Sequence, residues 1–230
     1  MVNGNIGEFE GRNRNHTEIG YLPAQLVDRL PLANTQNEST RKNLNFNANY
    51  RYADTSGHEL NVDADYGLYR NNNNQLQPNN IYKASTSSLI ESETYNMLTP
   101  SDIDIYSIKA DYEQNFKKGK LGIGTKISFV QTDNTFQRFN SNGNGRIEDN
   151  NNNFKYKENI NALYVNYNRQ YKGFMIQAGL RAENTHSQGR SQGFRWDYDL
   201  DKRVSIDSSL DRNYTDLFPS AAVTFNKNPM

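Results

Sequence analysis

The sequence predicts an all-β fold, an antiparallel up-and-down sheet of about seven long strands, and three observations predict it. Long stretches alternate apolar and polar side chains, the period of a strand. Short turns alternate along the chain with long polar connections. Hydrophobic residues make up only 34% of the 230 residues, yet 15 Tyr, 11 Phe and 1 Trp are more aromatics than a disordered chain carries. The chain therefore folds, and it confines its dry surface to selected faces.

The first pair of strands is RKNLNFNANYRYAD (41–54) and ELNVDADYGLYR (59–70), joined by DTSGH. Leu44, Phe46, Ala48, Tyr50 and Tyr52 alternate with Asn45, Asn47, Asn49 and Arg51; Leu60, Val62, Ala64, Tyr66 and Leu68 alternate with Asn61, Asp63, Asp65, Gly67 and Tyr69. A short Gly-containing loop between two such runs reads as a hairpin. The second pair, IYSIKADYEQNF (105–116) and KLGIGTKISFVQT (120–132), is joined by KKG. Tyr106, Ile108, Ala110 and Tyr112 share a face with Leu121, Ile123, Thr125, Ile127 and Phe129; Ser107, Lys109, Asp111, Glu113, Lys126 and Ser128 take the other.

The third pair joins YKENINALYVNYNRQ (156–170) through YKG to FMIQAGLRAE (174–183). In the latter, Phe174, Ile176, Ala178, Leu180 and Ala182 oppose Met175, Gln177, Gly179, Arg181 and Glu183. The facing of the former stays open, because Ala162 and Tyr164 compete with Leu163, Val165 and Tyr167. YTDLFPSAAVTFNK, at about 214–227, is the seventh strand. Residues 1–39 read as a loop-rich lead-in, and YLPAQLVDRLPLA, from Tyr21, as a short helix after Pro23.

Long polar connections at about 70–103, 133–155 and 185–213 fall on every second link. In an up-and-down sheet they all lie at one end, and the short turns at the other. A twelve-residue strand spans about 40 Å, and tilted by about 40° it rises about 30 Å, enough to cross the roughly 25 Å apolar band of an outer-membrane barrel. Aromatics near strand ends (Tyr50, Tyr52, Tyr66, Tyr69, Tyr112, Phe116, Phe129, Tyr167, Tyr171, Phe174) fit interfacial girdles. The polar face carries too many charges for a buried core. The fold class is thus a partial transmembrane β-barrel, one domain over 1–230. Leu44, Phe46, Leu60, Val62, Ile108, Ile123, Ile127, Phe174, Ile176 and Leu180 are expected to face lipid. Asn47, Asn49, Arg51, Asp63, Asp65, Lys109, Asp111, Glu113, Lys126, Gln177, Arg181 and Glu183 are expected to face the lumen. Gly179 is expected to leave room there.

The 26 basic and 26 acidic residues balance and the cations do not cluster, which argues against nucleic acid. With no cysteine there is no disulfide frame, thiolate metal site or Cys nucleophile. MVNGNIGEFEGRN lacks the pattern of a secretory signal, so either the protein stays in the cytosol or residue 1 is not the biological start, and the abrupt FNKNPM after a strand pattern leads us to expect the second.

The search for chemistry returns little, and no cofactor or metal is expected. His16, His58 and His186 are scattered. Asp197, Asp199 and Asp201 have calcium-loop spacing, but Lys202 replaces the loop Gly and Ser208 the closing Glu. NGNGR and GIGTK lack the helix that follows a phosphate loop, and NHT, NES and NYT match a glycosylation pattern too short to carry weight. Asp63 with Asp65, or Glu113 with Glu183, are the carboxylate pairs a glycosidase would need, but lumen charges matched by Arg51, Lys109 or Arg181 account for them better, and no enzyme is expected. The alternative is a soluble all-β surface adhesin or carbohydrate-binding module.

NLNFNANYRYADTSGHELNVDADYGLYRNNNNQLQPN, YKENINALYVNYNRQYKGFMIQAGLRAENTHSQG and RNYTDLFPSAAVTFN resemble the barrel region of TonB-dependent receptor-like outer-membrane proteins of the Bacteroidota, over about residues 40–227. The resemblance implies a 22-stranded barrel behind a plug domain and a TonB box, with periplasmic short turns and extracellular long loops. It also implies uptake of a ligand such as a siderophore, glycan or peptide, with outer-membrane lipid, the plug and TonB as partners. Seven strands and no visible plug make the chain an expected barrel fragment.

Overall fold

The computed structural model describes residues 1–21, 26–142, 145–197 and 199–225. Its strands are β1 (Val2–His16), β2 (Ile19–Tyr21), β3 (Leu26–Ala53), β4 (Glu59–Lys83), β5 (Leu89–Leu98), β6 (Ser101–Phe116), β7 (Gly119–Asn142), β8 (Gly145–Tyr171), β9 (Phe174–Asp197) and β10 (Lys202–Phe225). They form one antiparallel sheet in the order β1-β3-β4-β5-β7-β8-β9-β10, with β2 beside β3 and β6 between β4 and β7.

β5 and β6 lie on one line. Both pair with β4 and with β7 in a register that runs on from one to the other and shifts only at Ile81/Tyr82 near the far end of β5, and only Thr99–Pro100 separates them, where proline has no N–H to give the ladder. Hydrogen bonds from Thr99 N to Asn73 O (2.9 Å) and from Thr135 N to Pro100 O (3.0 Å) carry the ladder across the gap. β2 likewise continues β1 along β3, with Thr17 N donating to Pro31 O at 3.0 Å.

All seven segments read as strands from the alternation are strands, the seventh as far as Phe225, its residues 226–227 lying outside the described residues. The differences lie outside them. The lead-in contains β1, which pairs with β3 from Val2↔Phe46 to His16↔Leu32. The long polar connections are mostly strand as well: β4 continues to Lys83, β7 to Asn142, β9 to Asp197, and β5, β8 and β10 return beside them. Alternation marks a strand only when one face is dry. Where both faces are wet the ladder persists without the signature. The expected helix is also strand from Leu26 to Ala33, where Leu32 pairs with Asn80 and Leu30 with Tyr82; its residues 22–25 lie outside the described residues.

The short turns are tight. Lys117 and Lys118 form the two-residue β6/β7 turn with φ of 46° and 65°, the primed geometry that suits the twist of a hairpin. Two non-glycine residues in the left-handed region cost about 1–2 kcal/mol each. At the β8/β9 turn Gly173 takes that region with φ 86°.

The sheet is a single layer. It exposes 16091 Å², whereas a compact monomer of this mass exposes about 10,700 Å². Among the described residues only Ala162 is a buried hydrophobic, while Ser39, Asn140, Asp149, Thr185 and Ser187 are buried polar groups.

Candidate functional site

The register joins the strand faces into two continuous surfaces. One row runs Tyr52, Leu60, Tyr112, Ile123, Val165, Leu180; the next runs Tyr50, Val62, Ala110, Thr125, Leu163, Ala182, Leu217. All ten residues expected on the apolar face lie on this one surface. Leu163, Val165 and Tyr167 join it, which resolves the open facing of β8. The apolar side chains stand in the open: Leu163 is 62% exposed, Ile108 49% and Ile123 47%.

The apolar band is nine residues tall on β3, from Leu44 to Tyr52, and again on β10, from Leu217 to Phe225. The two bands are offset, because Leu217, where the β10 band begins, lies on the row of Tyr50, six residues past Leu44. A drift of six residues (about 20 Å) across six strand spacings (about 29 Å) tilts the strands by about 35° from the normal to the band, the tilt of barrel walls. Corrected for it, the band is about 22 Å tall.

Aromatic rows edge the band. Phe46, Tyr66, Tyr106 and Phe129 stand side by side with centroids 6.1, 4.7 and 6.5 Å apart. Just above them, both carboxylate oxygens of Asp104 accept from Arg70 Nη2 at 2.9 Å, and one also accepts from the Tyr66 hydroxyl at 3.1 Å. At the short-turn border Tyr171 stacks on Phe174 at 5.0 Å, and Phe174 meets Phe225 at 6.4 Å. Tyr69 does not belong to these girdles: it lies on the polar face and donates to Asn45 Oδ1 at 2.8 Å.

All twelve residues expected on the polar face lie on the opposite surface. Asn49, Asp63, Lys109, Lys126, Ala162 and Glu183 make one row, and Arg51, Asn61, Asp111, Gly124, Tyr164 and Arg181 the next. Their charges are matched locally. Asn47 donates to Asp65 at 2.7 Å, Asn49 to Asp63 at 2.5 Å and Arg51 to Glu59 at 2.8 Å, while Lys109 pairs with Asp111 at 2.6 Å and Arg181 with Glu183. This face is the crowded one: Ala162, Thr185, Ser187, Ser39 and Asn140 all lie on it.

Glycines let it pack. The Tyr164 ring lies over Gly124, where a Cβ would strike it, and its hydroxyl bonds Asp111. Open facing of β8 hid Tyr164 from the sequence reading; its phase with Ala162 was the available signal. The space over Gly179 is filled by the Asn166 amide and the Ser220 hydroxyl, so it holds no spare room.

Asp63 and Asp65 stand side by side on β4, each accepting from an asparagine of β3, but the other carboxylate pair does not form. Glu113 on β6 and Glu183 on β9 are three strand spacings apart, at least about 14 Å, beyond glycosidase geometry. Among the described residues no group of three or more His, Cys, Asp or Glu is placed to hold a metal. His58 bonds Asp54 at 2.7 Å and His186 bonds Asp211 at 3.0 Å. Asp197 Oδ1 caps the β9/β10 turn, accepting from the Asp199 and Leu200 N–H groups at 3.1 and 3.0 Å.

Beyond the band both faces are polar. The Asp149 side chain is wholly buried and takes Arg138 Nε at 2.9 Å and a terminal nitrogen at 2.8 Å, with the guanidinium 5.1 Å from the Tyr95 ring centre.

The sheet thus carries an exposed apolar band on one face and hydrogen-bonded polar and charged groups on the other. The family model for the "Outer membrane protein beta-barrel family" matches residues 51–230. The chain belongs to this family. Its site is the Gram-negative outer membrane. No curated protein sequence matches it. Among solved structures, the ferric yersiniabactin uptake receptor FyuA from Yersinia pestis superposes at a TM-score of 0.45 with 10% identity, over 99% of this chain and 40% of that one. The ferric citrate transporter FecA in its unliganded form superposes at 0.38 with 9% identity, over 98% and 42%. The chain thus spans about two fifths of these structures.

Proposed function

We propose that this chain is part of the barrel wall of a TonB-dependent outer-membrane receptor that takes up a ligand such as a siderophore, glycan or peptide. The nine-residue band from Leu44–Tyr52 to Leu217–Phe225 faces lipid, and the Asp63/Lys109/Lys126/Glu183 surface faces the lumen. In the whole protein a plug domain fills that lumen and TonB acts on the plug. The observation that carries the reading is the exposed apolar band, which a soluble module would have to cover with a second layer; among the described residues there is none.

This chain has no cysteine of its own, so cysteines placed in it are its sole labels once any elsewhere in the full-length protein are replaced by serine. Single cysteines at Ile108, Ile123 and Leu163, and at Asn49, Lys126 and Glu183, are placed in the full-length protein in vesicles. The first set should be shielded from a charged thiol reagent and quenched by nitroxide-labelled lipid, the second set neither. Equal labelling of both sets overturns the reading. The receptor part is tested by deleting the energising TonB protein, which should abolish accumulation of the ligand without altering its binding to cells.

A further inference from the structure

We propose that the β6/β7 and β8/β9 turns together form a cationic rim that binds the phosphate groups of anionic phospholipids in the leaflet at the short-turn end. This rests on the lipid-facing reading of the apolar band. Residues 114–122 and 166–175 carry Lys117, Lys118, Lys120, Arg169 and Lys172 and no acidic residue. The two turns touch, because the Tyr167 hydroxyl donates to Phe116 O at 3.4 Å and Lys117 O at 3.3 Å. Among the described residues, Lys120 alone of these five has a carboxylate within ion-pair distance, Glu113 at 3.8 Å. The adjacent β3/β4 turn does not neutralise the rim, since Asp54 is engaged by the Ser56 and His58 N–H groups, both at 2.9 Å, and by the His58 ring.

Two features aim this charge at lipid. Lys117 Nζ sits 5.4 Å from the Phe116 ring centre and the Arg169 guanidinium 4.7 Å from that of Tyr171, and Phe116, Arg169 and Tyr171 stand on the apolar face at its lower border. The cations lie at headgroup depth beside a strip that takes acyl chains, an arrangement fitted to an amphiphile rather than a free anion. The turn also holds Lys117 and Lys118 at positive φ, where Asn-Gly fits without strain. Backbone strain of this kind clusters at functional positions.

The test uses the full-length protein reconstituted in phosphatidylcholine vesicles containing phosphatidylglycerol, with retained lipid measured by mass spectrometry after detergent extraction. The wild type should enrich phosphatidylglycerol about tenfold. K117N/K118G, which relieves the strained turn, and separately R169Q/K172Q, should each cut the enrichment to about twofold while keeping the heat-modifiable migration of a folded barrel. Undiminished enrichment in both variants, or none in the wild type, overturns the proposal. So does capture of poly-glutamate without lipid selectivity, which would assign the rim to an acidic protein partner. Failure of the wild type to assemble in any vesicle would instead overturn the lipid-facing reading, and this one with it.

Discussion

The lower and upper halves of the sheet share strands, register and ladder but obey different rules. In the lower half one face must be dry, so Ile123, Thr125, Ile127 and Phe129 on β7 alternate with Gly124, Lys126 and Ser128. Four residues further on, the same strand reads Asp133, Asn134, Thr135, Phe136, Gln137, Arg138, with no dry face. The lower half owes its order to what surrounds it, the upper to its own hydrogen bonds and ion pairs. A strand can continue where its amphipathic pattern stops.

The sharpest way to break this comparison is to place one charge at two heights. Ile123→Arg on the apolar band should cost about 2–4 kcal/mol and abolish barrel assembly, whereas Gln131→Arg, on the same face just above Phe129, should leave assembly unchanged. Heat-modifiable migration and surface abundance report both. Equal effects would erase the distinction between the halves.

The upper half should fail from within. Arg138→Met removes the guanidinium that pairs with the buried Asp149 carboxylate and is expected to cost about 3 kcal/mol, felt locally. Limited proteolysis should then cut between residues 133 and 155 while the lower half stays protected.

Glycine sets a finer contrast. Gly124→Val drives a side chain into the Tyr164 ring and should destabilise by about 1–3 kcal/mol. Gly189, where the nearest atom to an added Cβ is 3.7 Å away, should accept alanine with little change in denaturant midpoint.

The smallest effect concerns pH. In the upper half, hydrogen bonding by Arg190 first and Gln192 next holds Asp207 below the usual carboxylate range, and Gln188 first and His186 next do the same for Asp211. A depressed carboxylate stabilises the fold at and above its ordinary range, about pH 4, and loses that contribution as pH falls through its lowered value. Amide exchange along β10 near Asp207 and Asp211 should therefore quicken only below about pH 4, with the lower half unaffected.

What was legible in the sequence divides along the same boundary. Every strand of the lower half was readable from alternation, and the two faces it separated are the faces the register builds. β8 was ambiguous because Ala162 and Tyr164 are apolar enough to mimic the dry face; only pairing with β7 and β9 decides it. The upper half was read as loop because Asn71–Asn74 and Asn150–Asn153 say nothing about burial, although their backbone groups continue the ladder. The β1 strand, with Gly4, Gly7 and Gly11 and polar neighbours, hid for the same reason. The lipid rim was invisible until the Lys117–Lys118 turn showed its φ angles and the two hairpins were seen to touch.

The ladder in the upper half changes the thermodynamics of any encounter made there. A flexible loop must be ordered when it closes on a ligand, and that loss of freedom subtracts from affinity. A paired sheet has met this cost during folding, leaving only side chains to immobilise, at about 0.5–1.5 kcal/mol each. Molecules approaching from that side meet a preorganised wall, and discrimination among them rests on shape and hydrogen-bond placement instead of induced closure.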